Sequence, residues 1–476
     1  MPFADRRNLH KQVTIASDPI HVPRASRTTC VMKIAIIGAG IDGCSAARFC
    51  RQEFKDAEIH VLERTPRVGG RACVFESGGH TYEAGASIVH SRNRYLADFA
   101  AEFKLGLVAP PQTRLVLHNG RPVFEGSSFK PLTLAKMLRR YGLGPLRLER
   151  WVERFLRKFE HIYELQGRSQ AFTSPKKLLA ALDPEFEAMV SETLKRRLEQ
   201  DGFDKRMVEE LVAGIVRVNY GQGLDVGAFV GAVALCGSGG KLWAVSGGNH
   251  TLAEKLLEAS GAKLITDAKV LRIELGQQRY TVEARCAGAE RFVEEYDLVF
   301  VAAPQHEPLE LQIVKGSQNL TAQIARRYQR IFASFYSAPP CHLALHCGSP
   351  PAGTILSTSP QGFNSIGQYN STAGGEDYLI WKVFSEEPQS SELFSKSSLC
   401  ETFGWWAYPN YETAEREKDI PFCLDGKGLF YCNAIEGAAS AMEMAVIGAK
   451  NCVLLAKNLL NGLPSHIDDG AHASRL

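Results

Sequence analysis

A β-branched run, Lys33–Gly38, opens directly into Gly38-Ala39-Gly40-Ile41-Asp42-Gly43 and then into Cys44–Phe54, whose apolar residues fall at helical spacing. Strand, tight turn and helix in that order form a cradle for the diphosphate of a dinucleotide. Gly38 permits the turn, Gly40 lets the backbone close on the diphosphate, and Gly43 allows the helix to pack tightly against the strand. The diphosphate then faces a helix N-terminus, where unpaired N–H groups and the macrodipole favour negative charge. Glycine-rich turns are common by themselves. Here Glu58–Leu62 reads as a second strand ending at Glu63, twenty residues after Gly43. An acid at that place receives the ribose hydroxyls and disfavours a 2′-phosphate.

The segment Arg64–Arg71 carries Val68-Gly69-Gly70-Arg71, which resembles the second fingerprint of FAD-dependent amine-oxidase-like proteins. Two glycines let the chain pass close to a cofactor, and Arg71 offers a fixed fork of donors to a phosphate. In Tyr82–Ser87, the small residues Gly85, Ala86 and Ser87 suit backbone contact beside a flat ring. The chain returns to this cradle late: Val270 stands where such flavoproteins hold adenine by backbone, and Asp297–Ala303 and Gly428–Ile435 read as buried strands. Glu436-Gly437-Ala438-Ala439-Ser440-Ala441 is expected to open a helix to about Leu460, with Glu436 and Ala438 at the flavin. The expected fold is α/β, with a Rossmann-type, doubly wound parallel sheet in an FAD domain built from residues 32–110, 240–305 and 426–462. Residues 111–239 and 306–425 are expected to form a mixed-sheet and helical substrate domain, with Trp151–Leu165 and Pro184–Leu198 as amphipathic helices.

Several further motifs are similar to those of the prenylcysteine oxidase (farnesylcysteine lyase) family, over nearly the whole chain. They include Asn219-Tyr220-Gly221-Gln222, Ala228–Val233, Leu242–Val245 with Gly247-Gly248-Asn249, Phe363–Gly367, Trp381–Ser385, Ala407-Tyr408-Pro409 and Ala438–Met444. Ser246 departs from the acid usual in relatives. The resemblance implies an FAD oxidase that splits S-prenylcysteine, using O2, into cysteine, a prenyl aldehyde and hydrogen peroxide. It needs a long apolar slot with polar groups at one end. Phe229, Trp243, Phe363, Tyr369, Trp381, Trp405, Trp406 and Tyr408 are candidates for the lining, although buried aromatics are mostly packing. Asn219 and Tyr220 are candidates for the cysteine end, and His90 and Trp243 for a role beside the flavin. An FAD oxidase of amines or other lipid-like molecules fits the same fingerprints. A non-catalytic prenyl carrier is a third reading, since Rab GDP-dissociation inhibitors resemble this fold; the intact cofactor cradle of Gly38, Gly40, Gly43 and Glu63 speaks against it.

Charge and composition narrow the partners. Lys plus Arg number 55 and Asp plus Glu 52, and residues 1–31 alone account for the excess of three, so the body is neutral. A neutral body gives no reason to expect nucleic acid. No apolar run is long enough to span a bilayer, which leaves peripheral membrane contact open. Twelve cysteines form no Cys-x-x-Cys pair, and neither a metal site nor a nucleophilic triad is expected. Residues 1–31 lack the apolar centre of a secretory signal and read as a disordered leader or a start placed ahead of Met32. The family resemblance implies a lysosome, whereas Ser474-Arg475-Leu476 at the end of the flexible tail 463–476 is similar to a peroxisomal address. Asn249-His250-Thr251, Asn319-Leu320-Thr321 and Asn370-Ser371-Thr372 fit the N-glycosylation pattern.

Overall fold

The computed structural model describes residues 31–469, apart from 111–112, 238–240, 307, 309, 348–352, 373–378, 390–392, 396–397 and 412. The leader up to residue 30 and the Ser474-Arg475-Leu476 ending lie outside these residues. Lys33–Ile37 is an inner strand because its side chains are almost all apolar and β-branched; Ile34, Ala35 and Ile36 have no exposed surface. It pairs in parallel with Glu58–Leu62 on one side and Leu298–Val301 on the other, Ile34 lying opposite both Ile59 and Leu298. Lys263–Ile265 and Leu429–Tyr431 complete a five-stranded parallel sheet at its two edges. The strand order therefore reverses about Lys33–Ile37, and the turn beginning at Gly38 sits at that switch point, the place where open α/β sheets bind ligands.

Four helices are used below by label: α1 (Ile41–Glu53), α2 (Arg94–Glu102), α3 (Lys130–Tyr141) and α4 (Gly144–Phe159). Helix α1 packs against both His250–Ser260 and the final helix, Met442–Leu460. A second sheet is mixed, with seven strands in the order Leu399–Pro409, Tyr328–Tyr336, Ile380–Ser385, Ser365–Tyr369, Thr354–Ser357, Leu115–His118 and Pro122–Glu125. All its pairings are antiparallel except Thr354–Ser357 with Leu115–His118.

Three helices differ from expectation. Trp151–Leu165 spans a break at Glu160 between Gly144–Phe159 and His161–Gly167. Pro184–Leu198 is two helices, Pro184–Ser191 and Leu194–Gln200, because Thr193 turns extended and its side chain accepts from the N–H of Arg196 at 3.2 Å, capping the second. The final helix starts at Met442, not at Glu436, since Cys432–Gly437 is a 3-10 helix and Ala441 is extended. In the tighter turn side chains three apart eclipse, and Asn433 Nδ2 donates to Glu436 Oε1 at 3.0 Å.

Phe229, a candidate for the substrate slot, is instead core. It has no exposed surface, and its ring lies 5.3, 6.1 and 5.5 Å from those of Phe155, Phe159 and Phe186. An apolar run such as Ala228–Cys236 reads the same in sequence whether it meets a ligand or three phenylalanines. Phe229→Ala should cost about 3–5 kcal/mol in denaturant unfolding and leave KM unchanged; a raised KM with unaltered stability would place this ring at the substrate.

Candidate active site

The two glycine turns meet at the switch point. Gly69 N–H donates to Ala39 O at 2.9 Å, and Gly40 and Gly69 form a parallel bridge. At Gly43 a Cβ would lie 1.9 Å from Gly38 O, so only glycine lets α1 start this close to the strand. At Gly40 the nearest atom to an added Cβ is Gly70 Cα at 3.9 Å, so a side chain there would fill the cradle itself. Glu63 is 7% exposed and held from both sides: Oε2 accepts from Ala39 N–H at 2.8 Å and Oε1 from Thr65 N–H at 2.9 Å. The N–H of Ala268 donates to Glu63 O at 2.9 Å, which brings Val270 to the same end of the cradle. Arg64 points outward, 3.9 Å from Glu310.

Arg71 joins this end to the final helix. Its Nη2 and Nη1 bond Glu436, and Nη1 also donates to Ala407 O at 2.7 Å and reaches Ser440 Oγ at 3.4 Å. The fork expected on a phosphate is thus engaged by a carboxylate that is 2% exposed and accepts further bonds from Tyr328 Oη at 2.8 Å and from Asn433. A buried carboxylate needs such a counter-charge. From Ser440 the network runs to Tyr220, whose hydroxyl donates to Ser440 O at 3.1 Å and whose ring stands edge-on to Tyr408 at 5.1 Å. Four residues of the expected site, Arg71, Glu436, Tyr220 and Tyr408, are therefore in one cluster. Ala438 adjoins it, its N–H donating to Ile435 O at 3.0 Å. The cluster lies beside the start of the final helix, whose cap residue Ala441 offers no side-chain hydrogen bond to the first N–H groups.

Gly85, Ala86 and Ser87 pass under Arg71: Ala86 N–H donates to Arg71 O at 3.3 Å, and a Cβ on Gly85 would lie 1.9 Å from the same oxygen. Beyond them stands Lys382, a residue the sequence analysis quoted only within a motif. It is 1% exposed, and its Nζ donates to Glu83 O and Ser87 Oγ, each at 2.9 Å, with the Tyr369 ring centroid 4.0 Å away. Burial lowers this ammonium from 10.5 to about 7. Burial likewise raises the Glu83 carboxyl to about 7; its Oε1 accepts from Asn249 N–H at 2.6 Å, and Oε2 has no partner among the described residues. The signal for Lys382 in the sequence is its place inside the apolar strand Ile380–Ser385, where a cation has no water to face. Asp42 is similar. It is 4% exposed beside the cradle, neither carboxyl oxygen has a partner among the described residues, and burial holds its pKa well above the ordinary value. A carboxyl kept neutral can donate to a phosphate that its ionised form would repel.

Other candidates lie elsewhere. Trp381 projects to the opposite face of its strand from Lys382, into a cluster with Phe363, Tyr336 and Phe394. Asn219 donates to Ile215 O at 2.8 Å within its own helix, so its amide is engaged. His90 Nδ1 accepts from Arg92 N–H at 3.1 Å in the turn that starts α2, and burial lowers its pKa. Trp243, 8% exposed, lies opposite Val89. Asn249 is fully buried, donating to Ala86 O at 2.8 Å, so a glycan does not fit there.

A dinucleotide fits this arrangement: the cradle is bare backbone, the ribose acid is held in place, and a helix N-terminus is uncapped. The comparisons agree. Residues 36–103 match the NAD(P)-binding Rossmann-like domain model, and residues 124–469 match the prenylcysteine lyase model. Human prenylcysteine oxidase 1 is 36% identical over 468 residues, covering 92% of each chain. The chain belongs to the prenylcysteine lyase family. Human prenylcysteine oxidase 1-like is 31% identical over 469 residues, covering 90% of each chain. Among solved structures, a putrescine oxidase variant shares the fold with a TM-score of 0.59 at 15% identity, covering 91% of this chain and all of that one.

Glu83 gives a pH test. A carboxyl raised to about 7 in the folded state contributes stability below its unfolded value of 4.5 and loses it as pH rises through 7. Glu83→Gln, which keeps the acceptor for Asn249, should therefore raise the melting temperature relative to wild type more at about pH 8 than at about pH 5. A gain confined to the acid side would contradict the burial of this carboxyl.

Proposed function

We propose that this protein is an FAD-dependent thioether oxidase cleaving S-prenyl-L-cysteine to cysteine, a prenyl aldehyde and hydrogen peroxide. The observation that carries the proposal is the junction of Arg71 with Glu436 and Ser440, which brings the dinucleotide cradle and the uncapped start of the final helix to one site. Family membership supplies the substrate class. The carbon bonded to sulfur in a prenyl thioether is also allylic, so loss of hydride leaves a cation stabilised by both neighbours. Water adds to it, and the hemithioacetal collapses to thiol and aldehyde. Bound flavin supplies the two-electron acceptor and passes the electrons to O2.

The chain's own contribution is positioning and charge. The N–H groups at Met442–Met444 favour negative charge at the start of the final helix. Tyr369, Phe384, Phe403 and Trp405 are partly buried on the mixed-sheet face that carries Lys382. They supply the apolar wall for an isoprenoid. Lys382, hydrogen-bonded to Ser87 beside that wall, holds a proton close to neutrality. Tyr220 and Tyr408 form the polar end.

Purified protein should be yellow, should bleach when farnesylcysteine is added without oxygen, and should recover its colour with peroxide release when air is admitted. Bleaching by an amine, with farnesylcysteine inert, would replace the substrate. Colourless protein that binds farnesylcysteine would support the carrier reading instead.

A further inference from the structure

The segment Ser127–Lys158 holds nine basic and two acidic side chains, although residues 32–476 as a whole carry equal numbers of each. The remainder of the body is therefore acidic to the same extent that this segment is basic. Helix α3 buries only Tyr141 of its twelve residues. Phe129 and Leu143 are 65% and 67% exposed, Leu132 and Leu134 are each 47% exposed, and Leu146 is 37% exposed. These five are among the fifteen large apolar side chains that the described residues expose, and they fall within eighteen positions, so the exposure is a patch rather than scatter.

Cations surround the patch. Lys130, Arg139, Arg150, Arg154 and Arg157 are exposed and have no ion pair or hydrogen bond among the described residues. Their neighbours behave differently: Arg140 is paired with Glu210, and Lys158 with Asp183 and Glu185. Helix α4 buries Leu148, Trp151, Phe155 and Phe159 on one side and turns Arg150, Arg154 and Arg157 to water on the other. An ordinary solvated helix hides its leucines, and an ordinary core helix has few unpaired arginines beside them.

We propose that α3 and α4 dock this protein on an anionic phospholipid bilayer. The helices lie in the plane of the interface, with Phe129, Leu132, Leu134 and Leu143 at the acyl boundary and the unpaired cations among the headgroup phosphates. Among the described residues no helix is long and apolar enough to cross a membrane, so contact is from one side. Charge complementarity selects an anionic surface. Exposed aliphatic side chains favour lipid over nucleic acid, whose polar backbone and stacked bases offer them little. The proposal concerns this surface alone and goes beyond the reaction proposed above.

Vesicle co-sedimentation of the whole protein tests it, with phosphatidylcholine alone and with about 30 mol% phosphatidylserine added. The anionic vesicles should retain at least about tenfold more protein, and raised salt should weaken the binding. The triple variant Leu132→Ser, Leu134→Ser, Leu143→Ser and the triple variant Arg139→Glu, Arg150→Glu, Arg154→Glu should each lower binding about tenfold, with melting temperature and turnover of soluble substrate unchanged. Failure of wild type to bind anionic vesicles would overturn the proposal. So would normal binding by the leucine variant alongside loss in the arginine variant, the behaviour of a surface made for an acidic protein.

Discussion

One buried ion pair organises this site. Glu436 is sealed from water in a 3-10 turn, and the charge that neutralises it, Arg71, comes from a turn 365 residues earlier in the chain. Removing Arg71 costs about 3–5 kcal/mol, because the sealed Glu436 is left charged without a counter-charge. The pair therefore holds the strand end at Ala407 and the approach to the final helix in fixed relation to the glycine turn Gly69-Gly70 that Arg71 directly follows, since Arg71 bonds Ala407, Glu436 and Ser440. Tyr328 and Asn433 complete the acceptor capacity of the carboxylate, leaving it little reason to move.

The chemistry that such a clamp allows depends on which groups it leaves without ordinary partners. Asp42, Glu83 and Lys382 are all buried, and each is shifted toward its neutral form by loss of water. These shifts lie around the Rossmann turn, the 85–87 loop and the mixed sheet, and burial-perturbed titrations gathered in one place mark a candidate functional site. Helix α2 is secured by similar means: Glu443, in the first turn of the final helix, accepts from Tyr95 N–H at 2.8 Å and Leu96 N–H at 3.1 Å. The same short segment thus meets the site on one side and caps a helix on the other.

The first sheet was legible because its signals are local. Glu58–Leu62 occupies the residues read from its β-branched pattern, and Gly38, Gly40 and Gly43 fall in the turn that their spacing implies. The site was legible where a residue acts through backbone geometry, as at Gly69 and Gly85. It was not legible where a role depends on which face of a strand or helix looks inward. Trp381 and Lys382 are adjacent in sequence, and only the aromatic residue was a candidate for the slot; the pleat puts the lysine beside Glu83 and Ser87 and the tryptophan in another core. Phe229 and Arg71 were opaque for a related reason. Their partners are the phenylalanines from Phe155 to Phe186 and a carboxylate at Glu436, none of them near in the chain.

The measurement that bears most directly on the Arg71–Glu436 junction is a double-mutant cycle on bound flavin, read as visible absorbance per mole of protein at equal protein and FAD concentrations. Arg71→Met and Glu436→Gln should each weaken FAD binding at least about tenfold, and the double variant should be no weaker than the worse single one, because the two act through one contact. Losses that simply multiply, or single variants that stay fully yellow, would contradict the claim that this pair holds the two ends of the site together.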